Sequence, residues 1–347
     1  MSTAPLPSLD ARVKLYRISQ GFAAMQFVQA AIDLKLADAV AEQPRPVEQI
    51  AECVEAKPDA LVRLLRALAA IGFFAETDDG RFEHTELSRM IRSDAPWRAA
   101  DVIRFGWMHV PMTVLQHIPE AVRTGEPAFP KVFGTNAQSY FINDDPDAGA
   151  IFNRAMTANT ILLNNAAALV ELLGLKPGET LMDVGGGHGQ LLVQLLERYP
   201  QARGVLFELE QVLPGVDERL REGGALADRV ELVPGDCREA VPGGADVYLF
   251  KLMMYMWDDE TVLKILRNVA ASAAPGSRVV IVDMLLGGNT PFDEVGTTVD
   301  FMMVLMGGGK RRSVRDFVTL FEKAGLVDQG VKSIEGDQSV LLTAVVP

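Results

Sequence analysis

The feature that most narrows the fold of this 347-residue chain is an apolar run, Glu179 to Val184, that breaks into Gly185-Gly-Gly-His-Gly189. An amphipathic stretch, Gln190 to Tyr199, follows at once. Glycines at 185, 187 and 189 permit a tight strand-to-helix turn and let a ligand lie against bare backbone. The dinucleotide fingerprint asks for a further glycine at 190, where Gln190 stands.

More strands follow in order. Gly204 to Phe207 ends on Glu208, where an acidic residue would meet the two hydroxyls of a ribose. Val230 to Val233 leads into Gly235-Asp236-Cys237, placed for adenine edge contacts. Ala245 to Phe250 runs into Lys251 and on to Trp257-Asp258-Asp259, and Ser277 to Val282 ends on Asp283. Strands alternating with helices call for a parallel sheet covered on both faces, with ligands outside the carboxyl ends of the strands. Asp183, Glu208, Asp236, Lys251 and Asp283 all fall at those ends, so one cleft should collect them. Asp-x-Gly-x-Gly-x-Gly is the pattern of a loop that holds S-adenosylmethionine (SAM).

With these motifs in place the chain resembles the small-molecule O-methyltransferases that act on plant phenolics and on bacterial polyketide or other antibiotic scaffolds. The resemblance rests on Asp183-Val-Gly-Gly-Gly-His-Gly189, Gly204-Val-Leu-Phe-Glu-Leu209, Gly235-Asp236, Trp257-Asp258-Asp259-Glu260, Ile265-Leu-Arg-Asn268, Gly307-Gly-Gly-Lys310 and Arg123-Thr-Gly-Glu-Pro-Ala-Phe129. It implies SAM as cofactor and S-adenosylhomocysteine as product. It also implies a Rossmann-like domain with a seven-stranded, mostly parallel sheet, and an N-terminal helical, winged-helix-like dimerisation domain. The cofactor contacts it implies are Asp183, Gly185, Gly187, Glu208, Leu209, Asp236, Cys237, Lys251 and Trp257, with His188 a loop residue lining the cofactor.

Organisation along the chain supports that layout. Apolar residues recur at helical spacing from Ala11 to Ala41 with a soft break at Gln20-Gly21. Helices should open near Pro46 and Pro58, the second stopping at Gly72, before a hairpin of Phe73–Ala75 and Arg81–His84. Residues 97–170 read as helical throughout, and Trp107, Met108, Met112 and Phe129 suit either core or the floor of a substrate pocket. A helix from Ser313 to Ala324 and a closing strand from Gln338 to Val346, pairing antiparallel, complete the chain. The expected division is 1–110 for dimerisation, 111–170 as a helical connector contributing to the substrate pocket, and 171–347 for SAM binding.

Composition excludes several classes of partner. A formal net charge of −13 argues against nucleic acid or an anionic membrane as partner. A winged helix can read DNA, but residues 1–95 carry 11 Lys/Arg against 14 Asp/Glu, and a DNA reader needs a basic face. The start lacks the basic and apolar regions of a signal peptide, and no apolar run approaches the roughly 18 residues of a membrane span. Two cysteines make no disulfide framework and suit a reducing cytoplasm. Four histidines do not pair at metal-ligand spacing, so no metal is expected. The partners expected are a small acceptor molecule and a second copy of the chain.

The acceptor's proton is the chemical difficulty. A phenol with a pKa of about 10 is ionised roughly one part in a thousand at pH 7, a deficit of about 4 kcal/mol. The resembling family removes that proton with a histidine two residues before the Trp-Asp-Asp motif, oriented by a carboxylate after strand five and another after the Gly-Gly-Lys turn. Here those positions hold Tyr255, Asp283 and Arg311. Either Tyr255 packs against substrate and Arg311 is a surface cation, or the site handles an acidic acceptor to which Arg311 offers a fixed charge. A replacement base could be His109 or His117, roughly 80° apart around a helix. Loss of the histidine also keeps open a repurposed site that binds SAM but hydroxylates, decarboxylates or rearranges. With tyrosine at 255, the activity loss below about pH 6.5 that marks an imidazole base is not expected.

Overall fold

A computed structural model describes residues 6–163, 165–286 and 293–347. The first five residues, included in the reading of the start of the chain, lie outside the described residues. The chain divides into two compact units, one running through Thr113 and including Phe141–Leu162, the other Val114–Tyr140 and Leu163–Pro347. The 111–170 segment is thus shared: 111–113 and 141–162 go with the first unit, 114–140 and 163–170 with the second.

The first unit opens with α1 (Leu9–Ser19), α2 (Gly21–Asp33), α3 (Leu36–Ala39), α4 (Val47–Cys53) and α5 (Pro58–Ala70). The hairpin β1 (Phe74–Glu76) and β2 (Phe82–His84) follows, then α6 (Glu86–Met90) and α7 (Ala99–Trp107). Its core gathers Val28, Ile32, Leu36, Ile50, Leu65, Leu68, Phe74 and Phe82, all at most 5% exposed. α5 is the helix a winged-helix DNA reader would use, but Arg66 on it is held by Glu76 of β1 through bonds of 2.7–3.0 Å. α1 buries nothing: Leu9, Leu15, Tyr16 and Ile18 are 66–70% exposed.

Short helices follow, α8 (His109–Leu115), α9 (Ile118–Thr124), α10 (Ala128–Phe133) and α11 (Ala137–Ser139), then α12 (Pro146–Leu163) and α13 (Ala166–Leu173). Phe129 is fully buried against the rings of Phe133 and Tyr140, so it is core.

The second unit is built on β3 (Thr180–Val184), β4 (Arg203–Glu208), β5 (Val230–Pro234), β6 (Val247–Lys251), β7 (Arg278–Asp283), β8 (Val327–Ser333) and β9 (Val340–Val345). The strands stand in the order β5-β4-β3-β6-β7-β9-β8; β3 to β7 are parallel, and β9 runs antiparallel to both β7 and β8. Successive side chains leave opposite faces. Leu181, Val247, Leu249, Val280 and Val282 therefore join a core with α13 and α14 (Gln190–Arg198). Met182, Tyr248, Phe250, Val279 and Ile281 join a second core with α15 (Asp259–Ser272) and α17 (Val314–Ala324). α16 (Asp293–Met306) completes the helices. β8 has no counterpart in the sequence reading: all seven of its residues are exposed, so it has no apolar face to betray it.

Candidate active site

The order of strands reverses between β3 and β6, and the glycine loop leaves β3 at that switch point, where α/β sheets place their ligands. Asp183 is only 2% exposed, and its carboxylate lies under the loop. A Cβ on Gly186 would come within 2.4 Å of it, so no larger residue fits there. Gly187 has φ +60 and nothing within 4 Å of a would-be Cβ, which leaves its outer face open.

Glu208, the last residue of β4, accepts the Gly187 N–H at 2.8 Å and the Leu209 N–H at 2.7 Å. Its carboxylate is thereby fixed against the loop it was expected to serve with. Burial drives the Asp183 carboxyl up to about 7, against the pull of Lys251 and with a push from Glu208. Burial also lowers Lys251, at the end of β6, while Asp337 and Asp183 offset it. Asp337 was missed in the sequence; it sits in the β8–β9 connection, far along the chain, and also accepts the Asn165 N–H at 2.8 Å.

Asp236, just past β5, is held low by the bidentate Arg238. Cys237 is buried, which pushes its thiol up to about 12, and its carbonyl accepts from Asn268. Asp183 and Glu208 thus lie against the glycine turn, and Asp236 follows β5 at the same row of strand ends.

At the far side of the same row of strand ends stands Asp283, the last residue of β7 and 2% exposed. Burial pushes its carboxyl up to about 7, opposed by the Met284 N–H, the charges of Arg312 and Arg311, and the Tyr255 N–H. Tyr255 lies in a turn, Met254–Met256, that follows β6. Burial first, then the Asp283 charge, pushes its phenol up to about 12. It stays protonated at neutral pH, so it can donate a hydrogen bond but cannot serve as the base.

Arg311 is not a surface cation. It is 6% exposed, donating Nε to the Met284 carbonyl at 3.1 Å and Nη2 to the Leu285 carbonyl at 2.6 Å. The Trp257-Asp258-Asp259 motif has structural work as well. Asp258 caps α15 by accepting the Thr261 N–H at 2.8 Å, and Asp259 pairs with Lys310 and Arg312. Trp257 packs on the sheet core. His188 is exposed beside Gly215. His117 stands at the start of α9, 3.5 Å from Glu120, and His109 belongs to the other unit, 3.8 Å from Asp145. Among the described residues no group of three or more His, Cys, Asp or Glu could hold a metal ion, and no helix is long and apolar enough to cross a membrane.

Residues 115–327 match the O-methyltransferase domain, and residues 16–94 match the O-methyltransferase dimerisation domain. The chain belongs to the O-methyltransferase family. It is 34% identical over 314 residues to a phenazine O-methyltransferase of Lysobacter antibioticus, covering 90% of this chain and 89% of that one. It is 34% identical over 313 residues to a mitomycin biosynthesis 6-O-methyltransferase of Streptomyces lavendulae, covering 89% and 87%. The methyltransferase of calicheamicin biosynthesis, solved with S-adenosylhomocysteine bound, superposes with a TM-score of 0.84 at 28% identity, over 99% of this chain and 100% of that one. This protein is therefore a SAM-dependent O-methyltransferase of small metabolites, with a dimerisation domain and a Rossmann-like catalytic domain on a mixed seven-stranded sheet.

Proposed function

We propose that the acceptor is a hydroxyl on a small fused or substituted aromatic ring, that Asp283 takes its proton, and that the enzyme works as a cytoplasmic homodimer. Bound SAM supplies an electrophilic methyl group on a sulfonium. Glu208 holds the ribose hydroxyls, Gly185, Gly187 and Leu209 give backbone approach, and Asp183 with Lys251 sets the charge at the methionine end. Asp236 and Cys237 meet the adenine, and Trp257 walls the pocket. Holding oxygen, methyl and sulfur collinear supplies several kcal/mol by itself.

Tyr255 takes the place of the family's histidine and Arg311 that of its second carboxylate. One observation carries the assignment of the base: Asp283 has a carboxyl at about 7 beside the Tyr255 turn. A base is most effective when its pKa lies near the working pH. Tyr255 donates to the acceptor oxygen and orients it. Arg311, committed to the carbonyls of Met284 and Leu285, holds the segment after Asp283 in place. The pairing of two copies is supported by the apolar side chains left exposed on α1, with Phe22 on α2 adding to them at 62%. Two free cysteines suit a reducing compartment.

The test is transfer of labelled methyl from SAM to a panel of hydroxylated phenazines, benzoates and naphthoates, with Glu208→Ala in parallel. Labelled ether should accumulate with S-adenosylhomocysteine in equal amounts. Glu208→Ala should weaken SAM about tenfold or more in calorimetry, as expected for losing hydrogen bonds to a charged acceptor. SAM binding without methyl movement to any hydroxyl would favour the repurposed site.

A further inference from the structure

Two residues outside the assigned site grip the turn that carries Tyr255. Arg312 is 1% exposed, and its guanidinium reaches across that turn. Nη1 donates to the Met254 carbonyl at 2.9 Å, Nη2 to the Trp257 carbonyl at 2.8 Å, and Nε to Asp259 Oδ1 at 2.8 Å. A third carbonyl, Lys310, accepts from Nη1 at 3.3 Å. The carbonyls of Met254 and Trp257 bracket Tyr255 and Met256, so one planar fork fixes both ends of the turn. Only a guanidinium spans such acceptors in fixed geometry; an ammonium keeps the charge without the fork.

Gly309 bears on the same turn. Its would-be Cβ lies 2.4 Å from the Tyr255 carbonyl oxygen and 2.5 Å from the Met256 carbonyl carbon, closer than packed atoms approach. Gly309 has no left-handed φ, so backbone conformation does not require glycine there. Contact with the turn does.

We propose that Gly309 and Arg312 are a positioning pair that holds the Met254–Trp257 turn, which packs against β7, so that Tyr255 stands beside Asp283. The groups facing the Asp283 carboxylate are then its own neighbour's Met284 N–H, the Tyr255 N–H and phenol, and the guanidinia of Arg311 and Arg312. Moving the turn withdraws a donor that favours the charged carboxylate, which raises its pKa. This rests on the reading that Asp283 and Tyr255 serve methyl transfer, but the placement of the turn can be read without turnover.

The experiment follows unfolding of the full-length protein from pH 5 to 9, with and without Asp283→Asn, in three backgrounds: wild type, Gly309→Ala and Arg312→Lys. The difference between each Asp283→Asn pair isolates the titration of that carboxyl. Its midpoint should rise by half a pH unit or more in Gly309→Ala, where no charge has changed, and also in Arg312→Lys. SAM affinity by calorimetry should fall by less than the roughly tenfold of Glu208→Ala, because the glycine loop and Glu208 are untouched and only the Trp257 wall moves with the turn. A uniform loss of stability with an unmoved midpoint would overturn the proposal and leave these residues merely structural. So would a loss of SAM affinity as large as that of a direct cofactor residue. If the midpoint moves but Asp283→Asn transfers methyl at the wild-type rate, the positioning pair stands and the assignment of Asp283 as base falls.

Discussion

At the scale of single residues the site turns on carboxyls kept from ionising. Asp283 holds its proton more tightly folded than unfolded, about 7 against an ordinary 3.8. Its contribution to stability is therefore complete below about pH 4 and is lost as pH rises through about 7. Asp183 carries a penalty of the same sign and cause. Asp283→Asn should accordingly gain on wild type as pH rises, by on the order of 2 kcal/mol between pH 5 and pH 8. Urea unfolding at the two pH values measures it, and a difference that stays constant would show an ordinary carboxyl. The same residue changes what a pH–rate profile means. A loss of activity near neutrality would follow from a carboxylate base as readily as from an imidazole, so it does not by itself point to His109 or His117. The placing of Asp183, Glu208, Asp236, Lys251 and Asp283 at or near strand ends was legible, because a doubly wound sheet brings the carboxyl ends of its parallel strands to one edge. Arg311 and Arg312 were not. In sequence Arg311 reads either as a surface cation or as a fixed charge for the acceptor, nothing singles out Arg312, and the burial of both comes only with the fold.

Among the elements, caps and edges decide what a sequence discloses. Trp257-Asp258-Asp259 reads as a family motif, but its first task is local: Asp258 accepts the Thr261 N–H and closes the start of α15. Asp258→Ala should cost about 1 kcal/mol of stability, and Asp258→Asn much less. Thermal unfolding of the two variants checks this, and equal losses would mean that the charge at that position matters more than the cap. The inner parallel strands β3, β6 and β7 announced themselves as apolar runs buried on both faces. β9 did too, being largely buried beside β7. β8 stayed hidden because it is an edge strand, with Asp328 and Lys332 among seven exposed residues.

For the whole molecule, the sequence foretold the helical dimerisation module and the Rossmann-like sheet. It did not foretell that Phe141–Leu162 would fold with the first unit. Helices after Thr113 look alike in sequence, and which core each joins depends on contacts distant along the chain. α1 and the start of α2 leave an apolar face that a second copy would cover. Sedimentation at micromolar concentration should give about twice 37.7 kDa, and a monomer would contradict it. The most direct test of the account as a whole is the pH–rate profile of methyl transfer to two acceptors of different acidity, in wild type and Asp283→Asn. Wild type should break near pH 7 with both acceptors, and in Asp283→Asn the break should vanish or follow the acceptor's own ionisation. A break that persists at the same pH without Asp283 would contradict the account, and so would one that already moves with the acceptor in wild type.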